Sequence, residues 1–304
     1  LREDFKKRSS IIQLINFNEY KIFESARGQH NLITILSKDK DNKKHCLSVL
    51  TKRKGVFRSN VLNSILDEFD KETEYKIVEC SSLFDGDELY IRQAGTAIKN
   101  DIRSQVLEEI KNSGLKLDSY YNVSQGVLTG VDRISKKHVE GKLTDKSNIG
   151  HGVYVLSPNE INSMKLNKKE QELVKPFFKN SDIQKYTVNE EPRYYLVYAT
   201  RDLNIDEYPH LKAHFNKYEA VIKNRSQGRG EMQAALKLGK WWVIFAARDS
   251  KVFECEKIIC PQRSYTNEFG YTVKEWFGSA DIYFINIKKK KHSLKYLLAI
   301  LNSK

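Results

Sequence analysis

The chain of 304 residues is 40% hydrophobic and 11% aromatic, which is too rich in core-forming side chains for a disordered protein. Its length favours about two domains. Charged residues make up 30% of the sequence, and no stretch approaches the roughly 18 uncharged apolar residues that a membrane-spanning helix requires. The composition therefore excludes a disordered chain and predicts no membrane partner.

Most of the positive charge belongs to the second part of the chain. Residues 1–113 carry 20 Lys and Arg against 18 Asp and Glu, whereas residues 114–304 carry 32 against 21, so +11 of the total +13 lies in the second part. A basic surface with interleaved aromatic residues is typical of proteins that bind nucleic acid. Charge alone leaves a second interpretation open, in which the lysines only keep the protein soluble.

The cysteines indicate neither a disulfide framework nor a zinc site, because they show no paired C-x-x-C spacing and no nearby histidines. We expect reduced thiols in the core of a cytoplasmic protein. Residues 1–8 lack the apolar segment of a secretory signal, in agreement with a cytoplasmic location. The four cysteines are Cys46, Cys80, Cys255 and Cys260.

Residues 1–113 alternate short apolar runs with charged ones, a pattern that predicts strands with one or two helices. Apolar residues at helical spacing predict a helix over residues 56–69. A second predicted helix carries its apolar residues between positions 102 and 110 and ends at Gly114. We place the boundary between two units at this glycine. The predicted strands cover residues 11–17, 20–23, 31–37, 46–50, 75–78 and 89–92.

In the second part, Ser157 and Glu160 form a capping box that predicts a helix through Val174, which Pro176 ends. A second predicted helix covers residues 208–221, a basic glycine-containing loop covers 224–230, and a final helix covers 294–301. Strands are predicted at residues 123–129, 152–156, 193–199, 241–246, 257–260 and 282–287. The expected fold is α+β: a partial α/β unit followed by a mixed, strand-rich unit.

The sequence contains no convincing cofactor or hydrolase motif. Neither G-x-G tripeptide, at residues 150–152 and 228–230, lies at the strand-to-helix turn that a nucleotide or S-adenosylmethionine requires. G-x-S-x-G and H-E-x-x-H are absent. E-x-K tripeptides are about as frequent as chance allows, and the best nuclease candidate among them combines Asp132 with Glu140 and Lys142.

Several segments resemble TaqI-like adenine-N6 DNA methyltransferases, a family that includes fused type II restriction-modification enzymes. Residues 16–31, NFNEYKIFESARGQHN, resemble late strands of that family's catalytic domain. Residues 125–130, QGVLTG, resemble the opening of its C-terminal specificity domain. Further segments follow in the family's order: residues 152–156, 174–177, 182–186, 194–198, 208–212, Arg225, 241–242, 257–261 and 297–304.

The resemblance implies that residues 1–115 are the C-terminal portion of a methyltransferase catalytic domain and that residues 116–304 are a specificity (target recognition) domain. Family members methylate the N6 of an adenine flipped out of duplex DNA, with S-adenosylmethionine as the donor. Their N-P-P-[YF] motif is absent here, since none of the five prolines is adjacent to another. We therefore expect a fragment of a longer enzyme that binds no cofactor itself and is inactive without its missing N-terminal catalytic portion.

In this interpretation the second unit reads double-stranded DNA. Arg recognises guanine and Asn or Gln recognises adenine, while Lys contacts phosphates. Two other functions stay open: a metal-dependent nuclease, and a non-enzymatic assembly module of a defence complex that leaves DNA alone. The candidate DNA-binding residues are Gln125, Thr129, Arg133, Arg225, Gln227, Arg229, Gln233, Arg248, Arg263, Tyr265 and Asn267.

Overall fold

The computed structural model describes residues 7–23, 30–38, 45–85, 90–91, 106, 109–110, 113–225, 230–289 and 292–303. The chain folds into two compact units, Leu1–Gly114 and Leu115–Lys304. Within the described residues both units combine helices with β-sheets, so the expected α+β class is confirmed. None of the helices found there is long and apolar enough to cross a bilayer.

A four-stranded sheet in the order β3-β1-β4-β6 organises the first unit. β1 and β4 run parallel, and each outer strand pairs antiparallel with its neighbour. Two short strand pairs, β2 with β5 and β7 with β8, lie outside this sheet. The elements of this unit are β1 (Ser10–Asn16), β2 (Tyr20–Lys21), β3 (Leu32–Ser37), β4 (His45–Thr51), β5 (Gly55–Val56), α1 (Ser59–Leu66), β6 (Thr73–Glu79), β7 (Phe84–Asp85) and β8 (Tyr90–Ile91).

Helix α1 buries Ile65 in a core that it shares with Ile15 and Val49 of the sheet. The helix is shorter than the predicted range of residues 56–69. It begins after Arg58, whose backbone N–H donates to the Tyr20 hydroxyl at 2.7 Å. It ends before Glu68, whose φ of 67° is left-handed and incompatible with a continuing helix. The second predicted helix, over residues 102–110, falls mostly outside the described residues.

The second unit contains two four-stranded sheets. Sheet I has the order β10-β12-β11-β15 and sheet II the order β14-β13-β16-β9. All strand pairs are antiparallel except β11 with β15. The strands are β9 (Tyr121–Gln125), β10 (Val155–Leu156), β11 (Val174–Phe178), β12 (Tyr194–Val197), β13 (Lys257–Pro261), β14 (Gly270–Thr272), β15 (Phe277–Gly278) and β16 (Ile282–Ile287).

Adjacent residues of sheet II pack into different cores, because successive side chains of a strand point to opposite faces. Ile259 and Phe284 join the main core of the unit, where Phe178 of sheet I also lies. Ile258 and Ile285 face the second core, which the C-terminal helix covers with Leu294, Leu297 and Leu298. The helices are α2 (Lys136–Glu140), α3 (Pro158–Met164), α4 (Lys168–Gln171), α5 (Pro209–Lys217), α6 (Glu219–Asn224), α7 (Gly230–Lys237), α8 (Lys251–Glu254) and α9 (Leu294–Leu301).

The helix predicted from Ser157 to Val174 is instead two helices and the start of a strand. The capping box that begins α3 is present, with Ser157 N–H donating to Glu160 at 2.7 Å. Lys165 ends α3 in a left-handed conformation with φ of 51°. Asn167 then accepts the backbone N–H of Glu170 at 2.9 Å and starts α4. Asn167 and Glu170 have the same capping-box spacing in the sequence, and the prediction of one continuous helix did not use this signal.

The strand predicted at residues 241–246 is not a strand. Ala246 pairs with Leu128 as an isolated bridge. Other backbone groups of this segment bind side chains: the carbonyl of Val243 accepts from Arg225, and that of Trp242 accepts from the Tyr154 hydroxyl at 2.7 Å. The helix predicted over residues 208–221 is likewise divided, into α5 and α6.

All four cysteines are free. Burial raises the pKa of the Cys46 and Cys260 thiols to about 11, as expected for unreactive core residues. Cys255, in contrast, is exposed directly after α8, so the expectation of a core thiol is wrong for this residue.

Candidate nucleic-acid interface

Residues 125–130 lead the chain from sheet II towards sheet I. Gln125 ends β9 opposite Tyr283 of β16, and two residues later Val127 N–H donates to the Gly278 carbonyl at 2.8 Å. A Cβ at Gly126 would lie 2.1 Å from the Ser279 carbonyl oxygen. Only glycine therefore lets the chain pass this close to the turn after β15.

The Arg225 side chain lies inside the second unit. Its guanidinium carbon is 4.8 Å from the ring centroid of Tyr154. It donates to the Thr129 carbonyl at 2.9 Å and also to the carbonyl of Val243. A Cβ at Gly130, whose φ is +83°, would meet the Arg225 Cδ at 2.9 Å. Arg225 thus joins loops of the unit, and its contact with a base stays a prediction.

Thr129 and Arg133 also have partners within the unit. Thr129 is buried, and its hydroxyl donates to the Asp132 carboxylate at 2.6 Å. Arg133 donates to the Gly150 carbonyl at 2.7 Å and forms an ion pair with Glu160 at 3.2 Å. Both side chains thus stabilise turns of the unit, and their contact with DNA stays a prediction.

Gln125 and Arg248 form a polar pair at one end of sheet II. Nη2 of Arg248 donates to Oε1 of Gln125 at 3.0 Å, and its Nε donates to the Gly126 carbonyl at 3.4 Å. The Nε2 of Gln125 in turn donates to the Ala280 carbonyl at 2.6 Å. Arg248 is exposed, and the remaining N–H groups of its guanidinium have no partner among the described residues. The pair therefore presents an oriented cation with free donors.

The backbone of Arg248 is held in an unfavourable conformation. Its φ of 65° is left-handed, which costs a non-glycine residue about 1–2 kcal/mol. Tyr198 donates its hydroxyl to the Arg248 carbonyl at 2.6 Å. Burial, with the nearby Asp249 and Glu254 charges, raises the pKa of Tyr198 to about 12, so this hydroxyl stays protonated and keeps donating. Strained residues held in this way cluster at functional sites.

A loop over residues 262–269 joins β13 to β14 and carries three further candidates. Arg263 and Tyr265 are exposed, and Tyr265 is fully so. Asn267 donates to the Ser303 carbonyl at 3.4 Å, a contact that holds the loop to the end of α9. Arg263 and Tyr265 are therefore free to meet a ligand, whereas Asn267 has a structural contact.

Strand register places this loop and the Gln125–Arg248 pair at the same end of sheet II. Gln125 of β9 lies opposite Tyr283 of β16, which in turn lies opposite Cys260 of β13. Because β16 separates the two outer strands, the backbones of β9 and β13 are about 10 Å apart at these residues. Arg263 follows Cys260 by three residues. This end of the sheet thus carries both arginines, Arg248 through its bond to Gln125 and Arg263 on the loop after β13.

Three candidates are not fully described. Gln227 and Arg229 lie outside the described residues. Gln233 belongs to α7, and its side chain is likewise outside the part of the chain that the structure describes.

Sequence reasoning missed Tyr198 as a site residue. The sequence predicted a strand over residues 193–199 and assigned no role to Tyr198, whose ring is buried in the core. Its hydroxyl meets a carbonyl fifty positions later in the chain. Local spacing carries no signal for such a contact.

The geometry gives the nuclease alternative no support. Among the described residues, no group of three or more His, Cys, Asp or Glu side chains is placed to hold a metal ion. Asp132 accepts the Thr129 hydroxyl, and Glu140 is exposed at the end of α2.

Comparison with known families assigns most of the second unit. Residues 175–304 match the family model of the TaqI-like C-terminal specificity domain. This part of the chain is therefore similar to a TaqI-like specificity domain. The resemblance seen in the sequence is thereby confirmed for these residues. The match begins within β11. Two earlier strands also belong to the sheets of this unit, β9 to sheet II and β10 to sheet I. The folded unit is therefore longer than the matched segment.

Two solved structures match this chain at low identity and low TM-score. A structure of the type IIL restriction-modification enzyme MmeI in complex with DNA has 10% identity and a TM-score of 0.41, over 97% of this chain and 31% of that one. The type IIG restriction endonuclease BpuSI has 9% identity and a TM-score of 0.31, over 99% of this chain and 34% of that one. The chain spans about a third of each of these proteins. No curated protein matches it.

Proposed function

We propose that this chain recognises a specific double-stranded DNA sequence on behalf of a restriction-modification enzyme. The observation that carries the proposal is the TaqI-like specificity domain at residues 175–304. The net charge of +11 on residues 114–304 provides the attraction to phosphate that DNA binding requires.

Arg248 is the side chain best placed to read a base. A guanidinium binds the O6 and N7 atoms of guanine through two donors, and Arg248 keeps donors free for this purpose. Gln125 has a different part in the proposal. Both ends of its amide are occupied, by Arg248 and by the Ala280 carbonyl, so it orients the arginine and contacts no base itself.

The parent enzyme in this proposal is an S-adenosylmethionine-dependent adenine-N6 methyltransferase, and residues 1–115 are the end of its catalytic domain. The described residues do not fit the cofactor. The turn between β4 and α1 holds a single glycine, Gly55, among basic residues, whereas S-adenosylmethionine needs a glycine-rich turn at a helix start. The proposal therefore assigns cofactor binding and methyl transfer to another part of the parent enzyme.

Fluorescence anisotropy with end-labelled duplexes tests DNA recognition. The duplexes are those that the 304-residue chain enriches from a pool with a randomised centre. We expect binding that is at least 100-fold tighter than to unselected duplex and that weakens as salt rises, because each neutralised phosphate releases counterions.

Two variants sharpen this experiment. Arg248→Ala should bind the enriched duplex about tenfold more weakly, at constant salt, than the wild-type chain. Lys217→Ala removes one exposed positive charge from α5 and serves as the control, with a change of less than about twofold. Absence of binding to any duplex would reject the proposal and favour the assembly module.

A further inference from the structure

Tyr265 is an unusual surface residue. It is fully exposed, at 108% of the reference value, whereas most of the described aromatic residues are buried or half-buried. Neither its ring nor its hydroxyl has a contact partner among the described residues. A tyrosine in this position gives up the stabilisation that burial of its ring would bring.

The loop tip that carries Tyr265 is nevertheless ordered by its own hydrogen bonds. The hydroxyls of Ser264 and Thr266, on either side of the tyrosine, donate to the Glu268 carboxylate at 3.1 and 3.2 Å. The backbone N–H of Thr266 also donates to Ser264 Oγ at 3.3 Å. The tip therefore presents the ring on a defined support.

The base of the same loop is fixed to the unit. Asn302 is buried, and its side chain accepts the N–H of Phe269 at 3.1 Å and donates to the Phe269 carbonyl at 2.8 Å. Phe269 itself packs in the core under α9. The exposed ring thus lies at the tip of a loop that its own hydrogen bonds order and that Asn302 fixes to the unit. We therefore regard the loop as a rigid projection.

The charge next to the ring indicates what the projection meets. Arg263, two positions before Tyr265, is exposed and forms no hydrogen bond or ion pair with another described residue. An aromatic ring can stack on a base, and a free guanidinium next to it can bind the phosphate of that nucleotide. The loop follows β13 at the end of sheet II where Arg248 binds Gln125, the last residue of β9.

We propose that Tyr265 inserts between two adjacent base pairs of the bound duplex and kinks it, while Arg263 contacts the neighbouring phosphate. The proposal rests on the proposed function, because it requires that the chain binds duplex DNA. Side-chain wedges of this kind unstack a base step and bend the duplex by about 20–90°. Since flexible steps such as TA and CA deform most easily, the kink adds sequence preference at a step where no hydrogen bond is made.

The test measures DNA bending on an enriched duplex of about 30 base pairs with a fluorescence donor and acceptor at its ends. The wild-type chain and Tyr265→Phe, which keeps the ring, should raise energy transfer at saturation to the same level. Tyr265→Ala should lose most of this increase and bind about tenfold more weakly. Tyr296→Ala, another exposed tyrosine of the same unit, is the matched control and should behave as wild type.

A second readout locates the unstacked step. Replacing single adenines by 2-aminopurine should reveal one step whose fluorescence rises on binding of wild type but not of Tyr265→Ala. If no duplex is enriched or bound, the proposed function itself fails. If wild type binds a straight duplex, or if Tyr265→Ala bends it as wild type does, DNA recognition stands and the wedge is rejected. If Tyr265→Ala binds more weakly but wild type does not bend the duplex, the wedge is also rejected.

Discussion

The hydroxyl of Tyr198 donates to the carbonyl oxygen of Arg248 at 2.6 Å, and this bond joins the core of the second unit to its surface. The tyrosine ring packs against Phe277 of β15, with 5.2 Å between ring centroids. The arginine on the other side of the bond has a left-handed backbone and an exposed guanidinium. The geometry of a candidate base contact therefore depends on a residue that no DNA would touch.

Tyr198→Phe should separate the hydrogen bond from the packing. The ring remains, while loss of the hydroxyl removes the bond to the strained residue, so we expect the free energy of unfolding to fall by about 1 kcal/mol. The preference for enriched over unselected duplex should also fall several-fold, because Arg248 is no longer held in place. Urea denaturation and anisotropy measure the two effects.

Tyr194→Phe is the control for this prediction. Its hydroxyl has no hydrogen-bond partner among the described residues, and its ring lies beside Arg133. We expect its stability to stay within about 0.5 kcal/mol of wild type. Equal stability and equal DNA preference for Tyr198→Phe and Tyr194→Phe would contradict the positioning role of Tyr198.

Gly126→Ala should destabilise the second unit severely. The added Cβ would lie 2.1 Å from the Ser279 carbonyl and 2.4 Å from that of Gly278, and backbone atoms of a strand end cannot move aside. We expect a loss of about 3 kcal/mol or more in the free energy of unfolding. Gly114→Ala, where nothing lies within 4 Å, should change it by less than about 0.5 kcal/mol. A similar thermal midpoint for both variants would contradict the packing of residues 125–130.

Glu170 should make the second unit sensitive to acid. Its carboxylate is buried and accepts the backbone N–H groups of His210 at 2.7 Å and Leu211 at 3.3 Å at the start of α5. Burial raises the pKa of Glu170, but hydrogen bonds from Asn167 and His210 outweigh this effect and hold it below its ordinary value of 4.5. The stabilisation is therefore present above about pH 4.5 and is lost as the pH falls through the folded-state value.

Glu170→Gln tests this assignment by urea denaturation between pH 3 and pH 7. At pH 7 we expect a loss of about 1–3 kcal/mol, and towards pH 3 the two stability curves should converge. Glu172→Gln changes an exposed carboxylate two positions away and should follow the wild-type curve. A constant offset between wild type and Glu170→Gln at every pH would show that the charge of Glu170 is not involved.

Lys257 should make the stability of the second unit rise with pH in the alkaline range. The side chain is buried, its Nζ donates to the carbonyls of Cys255 at 2.6 Å and Lys274 at 2.7 Å, and burial lowers its pKa to about 8. Between about pH 8 and the ordinary value of 10.5 the unfolded chain binds more protons, so stability rises with pH. Relative to Lys257→Met, wild type should gain up to about 1 kcal/mol per pH unit in this interval. Urea denaturation at pH 7.5 and 9.5 measures the free energy of unfolding of both proteins. The same difference between wild type and Lys257→Met at both pH values would contradict the prediction.

Elements with strong local signals were predictable from sequence. β16 and α9 lie at the residues expected from their apolar patterns, and the capping box of α3 forms as Ser157 and Glu160 predict. The segment over residues 241–246 has an equally strong apolar pattern but forms no strand. Its backbone groups bind Arg225 and Tyr154, which are distant in sequence, and tertiary contacts of this kind override local preference.

The candidate site was predictable only by residue type. Arginines near turns and strand ends are reasonable candidates for guanine contacts, and Arg248 and Arg263 are exposed as that expectation requires. Arg133 and Arg225 satisfy the same criterion but bind carbonyl groups within the unit. Residue type does not distinguish the two uses, because a guanidinium donates equally well to a base, a phosphate or the backbone.

The most direct test of the account compares the DNA motifs selected by wild type and by Arg248→Ala from one randomised duplex pool. We predict that wild type enriches a motif with an invariant guanine and that Arg248→Ala enriches the same motif with that position relaxed, a loss of about 1–3 kcal/mol in discrimination. Retention of every position by Arg248→Ala, or no motif for wild type, would contradict the claim that this chain reads DNA through Arg248.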